Sequence, residues 1–483
     1  MGRSLEGGGK MILVENVIIE KSKDIIAAMK QIDRNGLGIA VVCDRKKVVG
    51  VVTDGDIRRA IINGAKLATN IEKIANLSPV LLTDRELADK EGLKKNLSRK
   101  MGFGSVALNM IIPVINAKKQ LQNLMSVHYE REGEVFYDPL LNTHRTVRNV
   151  KRVLLIGGAG YLGSVLSREL LKKKYYVRVL DNLTYGDSGI KDLYGDPNFE
   201  LKKGDMRNIS DVVDAIKEVD AVIQIGAIVG DPAGILNPQK TLEINYHATD
   251  MIVRVCKYHQ INRFIFASTC SVYGKSANAK KLLSENSALA PVSLYAETKI
   301  EAEGIILGAA QSNFSPTIMR MATIFGYSPR MRFDLVANIL MAKAYYENQI
   351  PIFGGNQYRP LVHVRDAAIA YIKCLETPLE KVDSQIFNVG SEDMNYQIED
   401  LGKEIRKIFP KAKMTVQKDD KDARTYCVDF SKIRKTLGFK TVYTIKKGAE
   451  ELLAQFKSGS FHDFADKVYS NVNSLKDKSE KKQ

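Results

Sequence analysis

Tyr295 and Lys299 stand four positions apart in Tyr295-Ala296-Glu297-Thr298-Lys299, and Thr269 precedes the tyrosine by 26 residues. On a helix, positions four apart share a face. A lysine ammonium beside a phenol favours the tyrosinate, which takes the proton of an alcohol as a hydride leaves the same carbon. The Thr269 hydroxyl is suited to hold the reacting oxygen. These three residues form the candidate catalytic set, and the chemistry they suit is oxidation of an alcohol to a ketone, or its reverse. A Tyr-x-x-x-Lys pair alone is common on helices, so its meaning depends on the surrounding elements.

Such chemistry needs a hydride acceptor. The apolar strand Val153–Ile156 runs into Gly157-Gly158-Ala159-Gly160-Tyr161-Leu162-Gly163, followed by a helix from Ser164 to Lys173 and a second strand from Tyr176 to Asp181. Glycines at 157, 160 and 163 permit a tight turn, close approach of backbone to a diphosphate, and close helix–strand contact. The helix N-terminus offers free N–H groups and a favourable dipole to phosphates. Asp181 ends the second strand 24 positions after Gly157. Its carboxylate suits both adenosine ribose hydroxyls and repels a 2′-phosphate, so the expected cofactor is NAD rather than NADP. Expected cofactor contacts are Gly157, Gly160, Tyr161, Leu162, Gly163, Asp181 and Asn182. Asp205 and Met206 would border the adenine, Ala227 and Ile228 would face the diphosphate–nicotinamide part, and Lys299 would reach the nicotinamide ribose. Asn245 reads equally as a positioning residue or as a polar packing contact.

The elements that carry these residues alternate strand and helix, which implies an α/β fold with a Rossmann-type parallel sheet. Its NAD-binding core is expected mainly over 151–316. A smaller α/β substrate-binding lobe is expected mainly over 317–455, with returns to the core, and the cleft between them would bury the substrate. Residues 456–483 read as a C-terminal helix and polar tail, the lysine-rich stretch after Val472 being solvated.

The segments GGAGYLG, ASTCSVYG, YAETK and Arg359 to Asp366 (RPLVHVRD) together resemble the extended short-chain dehydrogenase/reductase superfamily, in its NAD-dependent nucleotide-sugar epimerase and dehydratase branch. The resemblance spans about Arg152 to Gly438. It implies a nucleotide-diphosphate sugar as substrate, with the Arg359 guanidinium gripping the diphosphate and Arg424 as a second contact. Asp231, Thr269 and Thr323 join them as expected substrate contacts, and the charged run Arg330 to Asp334 is expected to shape the pocket. His363 and Asp366 are expected to be structural. The helices around Leu242–Cys256 and Tyr295–Ala310 resemble those of a homodimer contact. Two departures bear on the reaction. Dehydratases of this branch follow the threonine with Asp and Glu, where this chain has Cys270 and Ser271; that disfavours a dehydratase and, less firmly, a decarboxylase. Epimerases carry Arg-Tyr-Phe-Asn where this chain has Arg320-Met321-Ala322-Thr323, so no sugar identity is implied. The favoured reading is an epimerase acting by transient oxidation, ahead of a nucleotide-sugar dehydrogenase or 4-ketoreductase.

Residues 11–127 have a different texture. Helix, strand, turn, strand and helix follow one another through Val48-VGVVTDGDIRRA-Ile61, which resembles a cystathionine-beta-synthase (CBS) domain pair. The second repeat is degenerate, with no counterpart of Thr-x-x-Asp near Leu121–Val127. The resemblance implies an adenine nucleotide at Thr53 and Asp56; the plainer reading is that Thr53 caps the next helix. Residues 1–10 read as an unstructured appended segment and 128–150 as a linker.

Composition narrows the class further. Hydrophobic residues are 45% and charged residues 27%, the balance of a folded soluble chain. No apolar run reaches the roughly 20 residues that cross a bilayer, so a cytoplasmic protein with no integral membrane segment is expected. The net charge of +16 comes from dispersed lysines without a nucleic-acid-binding module, so no nucleic-acid partner is expected. Five cysteines and six histidines show no metal-ligand spacing, and no metal is expected.

Overall fold

The structure, a computed structural model, describes residues 12–13, 16–83, 86, 109–129, 135–139, 141–142, 150–259, 261–276, 278–310, 314–417 and 424–480. The segment 1–10 lies outside them. The chain divides at Val150 into two compact units.

In the first unit, strand Ile18–Glu20 pairs in parallel with Ile39–Asp44, which pairs antiparallel with Lys47–Thr53. Asp24 caps the helix Ile25–Asn35, and Gly36 ends it at φ 65°, a left-handed conformation that glycine adopts without strain. The second half repeats the pattern: Leu82–Thr83 runs parallel to Asn109–Ile115, which pairs antiparallel with Leu121–Tyr129. Where the first half continues into the helix Asp54–Ile62, the second turns into a further strand, Val135–Pro139, paired to Leu121–Tyr129. Among the described residues, no helix follows Leu121–Tyr129 as Asp54–Ile62 follows Lys47–Thr53. The same strand falls inside 128–150, where a linker was expected.

The second unit is built on seven parallel strands: β1 (Arg152–Ile156), β2 (Tyr176–Asp181), β3 (Phe199–Lys203), β4 (Ala221–Gln224), β5 (Arg263–Thr269), β6 (Ser315–Met321) and β7 (Gln385–Val389). Their order across the sheet is β3-β2-β1-β4-β5-β6-β7, the expected Rossmann-type arrangement. All residues of β4 and β6 are buried, as in a parallel sheet covered on both faces, and their polar members Gln224 and Arg320 are bonded internally to Thr249 and Glu303. Val153, Leu155, Val179, Ile223, Ile265, Met319 and Phe387 carry one core through the sheet into the smaller lobe. At about 1.5–3 kcal/mol for each large apolar side chain, this core outweighs any polar contact in the unit.

Strand order reverses between β1 and β4, and the crevice beyond the carboxyl ends of such strands is where α/β proteins bind ligands. Helix α1 (Tyr161–Lys172) starts there, and α2 (Leu294–Gly308) packs on β5. The smaller lobe adds the three-stranded sheet of Thr323–Phe325, Tyr358–His363 and Asn395–Gln397. The lysine-rich end is not a solvated tail throughout: Asn471–Glu480 forms α3, which packs against the short helix Asp231–Gly234.

Candidate active site

Close backbone contacts explain the glycines at the end of β1. Gly157 has φ 86°, and a Cβ there would lie 2.3 Å from the Cα of Gly226 in the loop after β4. A Cβ on Gly163 would lie 2.5 Å from the Gly158 carbonyl oxygen, so α1 can approach the loop only without one. Gly160 differs: a Cβ there would meet nothing nearer than the Gly157 oxygen at 3.6 Å, and the residue faces open cavity. Gly157→Ala is therefore expected to lower stability by about 1–3 kcal/mol, from backbone strain at this φ, and to weaken dinucleotide binding. Thermal unfolding and cofactor titration of the variant check both.

One cavity runs along the carboxyl ends of the strands. It is lined by every residue expected to hold the cofactor: Gly157, Gly160, Tyr161, Leu162, Gly163, Asp181, Asn182, Asp205, Met206, Ala227 and Lys299. Asp181 accepts hydrogen bonds from the amides of Ala159 (3.0 Å) and Leu183 (2.8 Å), so its carboxylate also braces the glycine loop. Burial pushes this carboxyl up, against those amides and the charge of Arg330. Asp205, clasped by the Arg207 guanidinium, is held down at about 2 and stays ionised.

Arg330, from the charged run, also lines this end. Its guanidinium lies 4.4 Å from the centre of the Tyr185 ring, and its buried Nε and Nη2 have no hydrogen-bond partner among the described residues. Burial lowers it to about 10, within the range where it remains a cation at neutral pH. A buried donor pair left unsatisfied costs about 1–3 kcal/mol per group unless an acceptor arrives. Sequence reasoning identified the run but not this direction, because nothing local indicates that it folds back over α1.

At the other end, Thr269, Tyr295 and Lys299 line the same cavity. Ser293 caps α2 by accepting from the Ala296 amide, which sets Tyr295 in the first turn. The Thr269 hydroxyl accepts from the Ser271 amide at 3.1 Å and acts to lower the Tyr295 phenol. Lys299 donates to the Ala267 carbonyl at 2.8 Å, with its Nζ 4.5 Å from the centre of the Phe266 ring. Burial lowers Lys299 to about 7, opposed by the Glu303 carboxylate. Burial raises the Tyr295 phenol; Thr269 and the Arg332 charge act to lower it, and Asp231 to raise it. The Lys299 ammonium, expected to favour the tyrosinate, is turned to a β5 carbonyl, and the charge of Arg332 acts to lower the phenol.

Asn245 joins two walls of the site. Its side chain donates to the Ile228 carbonyl (3.0 Å) and to Thr298 Oγ1 (3.2 Å), and accepts from the Ile228 amide (2.9 Å). That fixes the loop after β4 against the helix bearing Tyr295 and Lys299. Of the expected substrate contacts, Thr269, Thr323 and Arg424 line the cavity. Asp231 stands beside it, with Oδ2 2.8 Å from Arg424 Nη1 and Oδ1 accepting from Ser293 at 2.6 Å. Arg359 is not in the cavity wall; its Nη1 is turned to the Tyr358 and Arg424 carbonyls, so it supports the backbone that presents Arg424. His363 is bonded to Glu451 at 2.9 Å and stacks on Tyr443, a bracing role. Cys270 is 1% exposed with its thiol at the Arg320 carbonyl, whereas Ser271 reaches the cavity. Tyr426, Asn471 and Leu475 also line it, and none had a local sequence signal.

In the first unit, Thr53 and Asp56 are bonded to each other. Thr53 Oγ1 donates to Asp56 Oδ2 (2.7 Å) and accepts from the Asp56 amide (3.2 Å), while the Thr53 amide donates to the same carboxylate (2.9 Å). This is a reciprocal capping box.

Comparisons with known proteins agree with this arrangement. The model of the NAD dependent epimerase/dehydratase family matches residues 153–390, and that of the CBS domain matches 12–63. A UDP-N-acetyl-alpha-D-glucosaminuronate decarboxylase from Bacillus cytotoxicus is 30% identical over 272 residues, 53% of this chain and 80% of its own length. A UDP-glucose 4-epimerase from Bacillus subtilis is 26% identical over 328 residues, 62% of this chain and 94% of its own. Among solved structures, the UDP-glucuronic acid 4-epimerase from Bacillus cereus, in complex with UDP-glucuronic acid and NAD, aligns with a TM-score of 0.58 at 26% identity. That match covers 64% of this chain and 99% of the other.

Proposed function

Because the chain belongs to the NAD-dependent epimerase/dehydratase family, with a CBS domain ahead of it, we propose that it is a nucleotide-sugar epimerase that inverts a hydroxyl-bearing carbon by transient oxidation. The observation that carries this reading is one cavity holding Thr269, Tyr295 and Lys299 at one end and the glycine loop with Asp181 at the other.

The residues present fit NAD. Gly160 leaves the loop open to a diphosphate, the first turn of α1 directs free N–H groups towards it, and the unpartnered Nε and Nη2 of Arg330 call for an anionic acceptor. Asp181 retains lone pairs for the ribose hydroxyls, and its charge disfavours a 2′-phosphate. When bound, NAD supplies a reversible hydride acceptor. The chain does the remainder. Thr269 holds the sugar oxygen, Tyr295 takes the hydroxyl proton and later returns it, and Lys299 with Arg332 supplies the positive field that favours the phenolate. Arg424, oriented by Asp231 and supported by Arg359, binds the substrate diphosphate.

An epimerase is favoured over a dehydratase by the acids available. Among the described residues, the only carboxylates lining the cavity are Asp181 and Asp205, both at the cofactor end. Elimination of water needs an acid and a base at the sugar, and Cys270 and Ser271 supply neither. The test is incubation of the protein and NAD with UDP-glucose and UDP-glucuronic acid, followed by mass and NMR analysis. A product of equal mass with one inverted centre is expected; stoichiometric NADH, or loss of water or carbon dioxide, refutes the epimerase. The apolar residues left exposed beside the short helix Asp231–Gly234, Ile235, Leu236 and Leu242, are consistent with a homodimer, which sedimentation checks.

For the first unit, the reading is an adenine nucleotide held through its ribose by Thr53 and Asp56. Hydrogen bonds from Thr53 and Arg59 outweigh burial and keep the Asp56 carboxyl below its ordinary value, so it is an ionised acceptor at neutral pH. Thr53→Ala is expected to weaken AMP or ATP binding about tenfold, the loss of one hydrogen bond to a charged network. Equal binding by variant and native protein reduces Thr53 to a helix cap.

A further inference from the structure

The cavity is closed on one side by a part of the chain far from every motif. Tyr469 accepts from the Phe333 amide at 2.9 Å, and its ring meets that of Phe333 with centroids 5.4 Å apart. Two residues later α3 begins, and the amide of Asn471 donates to Asp334 Oδ2 at 2.8 Å. The same carboxylate is gripped by Arg332, with Nε 2.8 Å from Oδ1. Asp334 therefore caps α3 from outside, where the positive end of the helix dipole favours it, and ties that helix to the arginine whose charge Tyr295 feels. One turn on, Leu475 lines the cavity together with Asn471.

The Asn471 side chain has no bracing role comparable to that of its backbone. The residue is 5% exposed, and its buried Oδ1 accepts from no donor among the described residues. An amide oxygen buried without a donor is a destabilising feature that a packed helix terminus does not need. Asn471 lines the cavity that also holds Thr269, Tyr295 and Lys299, and the complement of an acceptor there is a ligand that brings a hydrogen-bond donor. The nucleotide diphosphate carries acceptors at its phosphates; the donors of such a substrate near the reacting carbon are sugar hydroxyls.

We infer that Asn471 is a specificity-determining residue that accepts a hydrogen bond from a hydroxyl of the sugar, and that α3 is a substrate-binding element. This rests on the nucleotide-sugar reading given above. It makes recognition of the sugar depend on α3 rather than on the family core alone.

The experiment compares native full-length protein, Asn471→Ala and Asn471→Leu, each with NAD, for calorimetric binding of UDP-glucose, UDP-glucuronic acid and UDP, and for thermal unfolding. Both substitutions keep the backbone amide that bonds Asp334. At least one UDP-sugar should bind about tenfold more weakly to either variant while UDP binds as before. Asn471→Leu, which replaces an unpaired acceptor by an apolar group of similar volume, should melt at the same or a higher temperature. Unchanged UDP-sugar binding overturns the inference. So does equal weakening for UDP, or a fall in melting temperature of both variants together with the loss of binding, because each makes the side chain a scaffold residue. If the native protein binds none of the three ligands, the nucleotide-sugar reading fails first and this inference with it.

Discussion

Tyr295→Phe is expected to lower kcat by about 10²–10⁴-fold, the range that a positioned proton-transfer group contributes, while NAD binding stays within about twofold of native. The substitution removes one oxygen and keeps the ring, and Tyr295 is 7% exposed in a wall that a phenyl group fills equally well. What disappears is the phenolic oxygen that shares the cavity with Thr269 and is assigned to accept and return the proton of an alcohol. A small effect would require a substitute base, and the described wall offers poor ones. The lining carboxylates, Asp181 and Asp205, belong to the far end of the cavity. Lys299, held to about 7 by burial, is bonded to the Ala267 carbonyl. Single-turnover formation of NADH with UDP-glucose or UDP-glucuronic acid, beside a direct NAD titration, separates loss of chemistry from loss of cofactor. A variant that keeps a tenth or more of native turnover removes Tyr295 from the role of base.

Which parts of this site were legible in sequence follows from the range of the interactions that make it. Gly157 and Gly163 could be read because each has a local requirement, a positive φ at the turn and a helix start against the Gly158 carbonyl, although Gly157 also meets the distant Gly226. Tyr295 and Lys299 were legible because helical geometry alone puts them on one face, and Asp181 because it ends the strand next to the loop. Asn471 and Leu475 were not, since each reaches the cavity only when a distant segment folds back and their neighbourhood reads as a polar end; for Arg330 the run was read as shaping the pocket, but not its turn to the cofactor end. Arg359 illustrates a different failure. It stands in the motif as expected, but its Nη1 is turned to the Tyr358 and Arg424 carbonyls, contacts that only the fold brings together. The strand Val135–Pro139 was read as linker because an edge strand takes its pairing from its neighbour, here Leu121–Tyr129, rather than from a periodicity of its own.

Glu303 had no sequence signal either, yet its replacement is expected to be the most damaging change outside the catalytic set. It lies four residues after Lys299 on α2, with its carboxylate bonded twice to Arg320, at 2.7 Å and 3.0 Å, and accepting from Ser268 as well. Both charged partners are about 95% or more buried. Burial works to lower the Arg320 guanidinium, and Glu303 more than reverses that, so the arginine stays charged. Glu303→Gln leaves this cation without its counter-charge in the interior, a loss of about 3–5 kcal/mol of stability. The same carboxylate opposes the depression of Lys299 by burial. Without it, the lysine should lose its proton at a lower pH than the native value of about 7. If the ammonium is the active form, the variant's kcat/KM will begin to fall with rising pH earlier than the native enzyme's. A structural role alone would lower stability and leave the pH midpoint in place, so urea unfolding and a pH–rate profile of one variant distinguish the two effects. Arg320→Met with Glu303→Gln provides the control: removing both charges should recover much of the stability, because a buried pair replaced together costs far less than one left unpaired, while the displaced midpoint of Lys299 should persist.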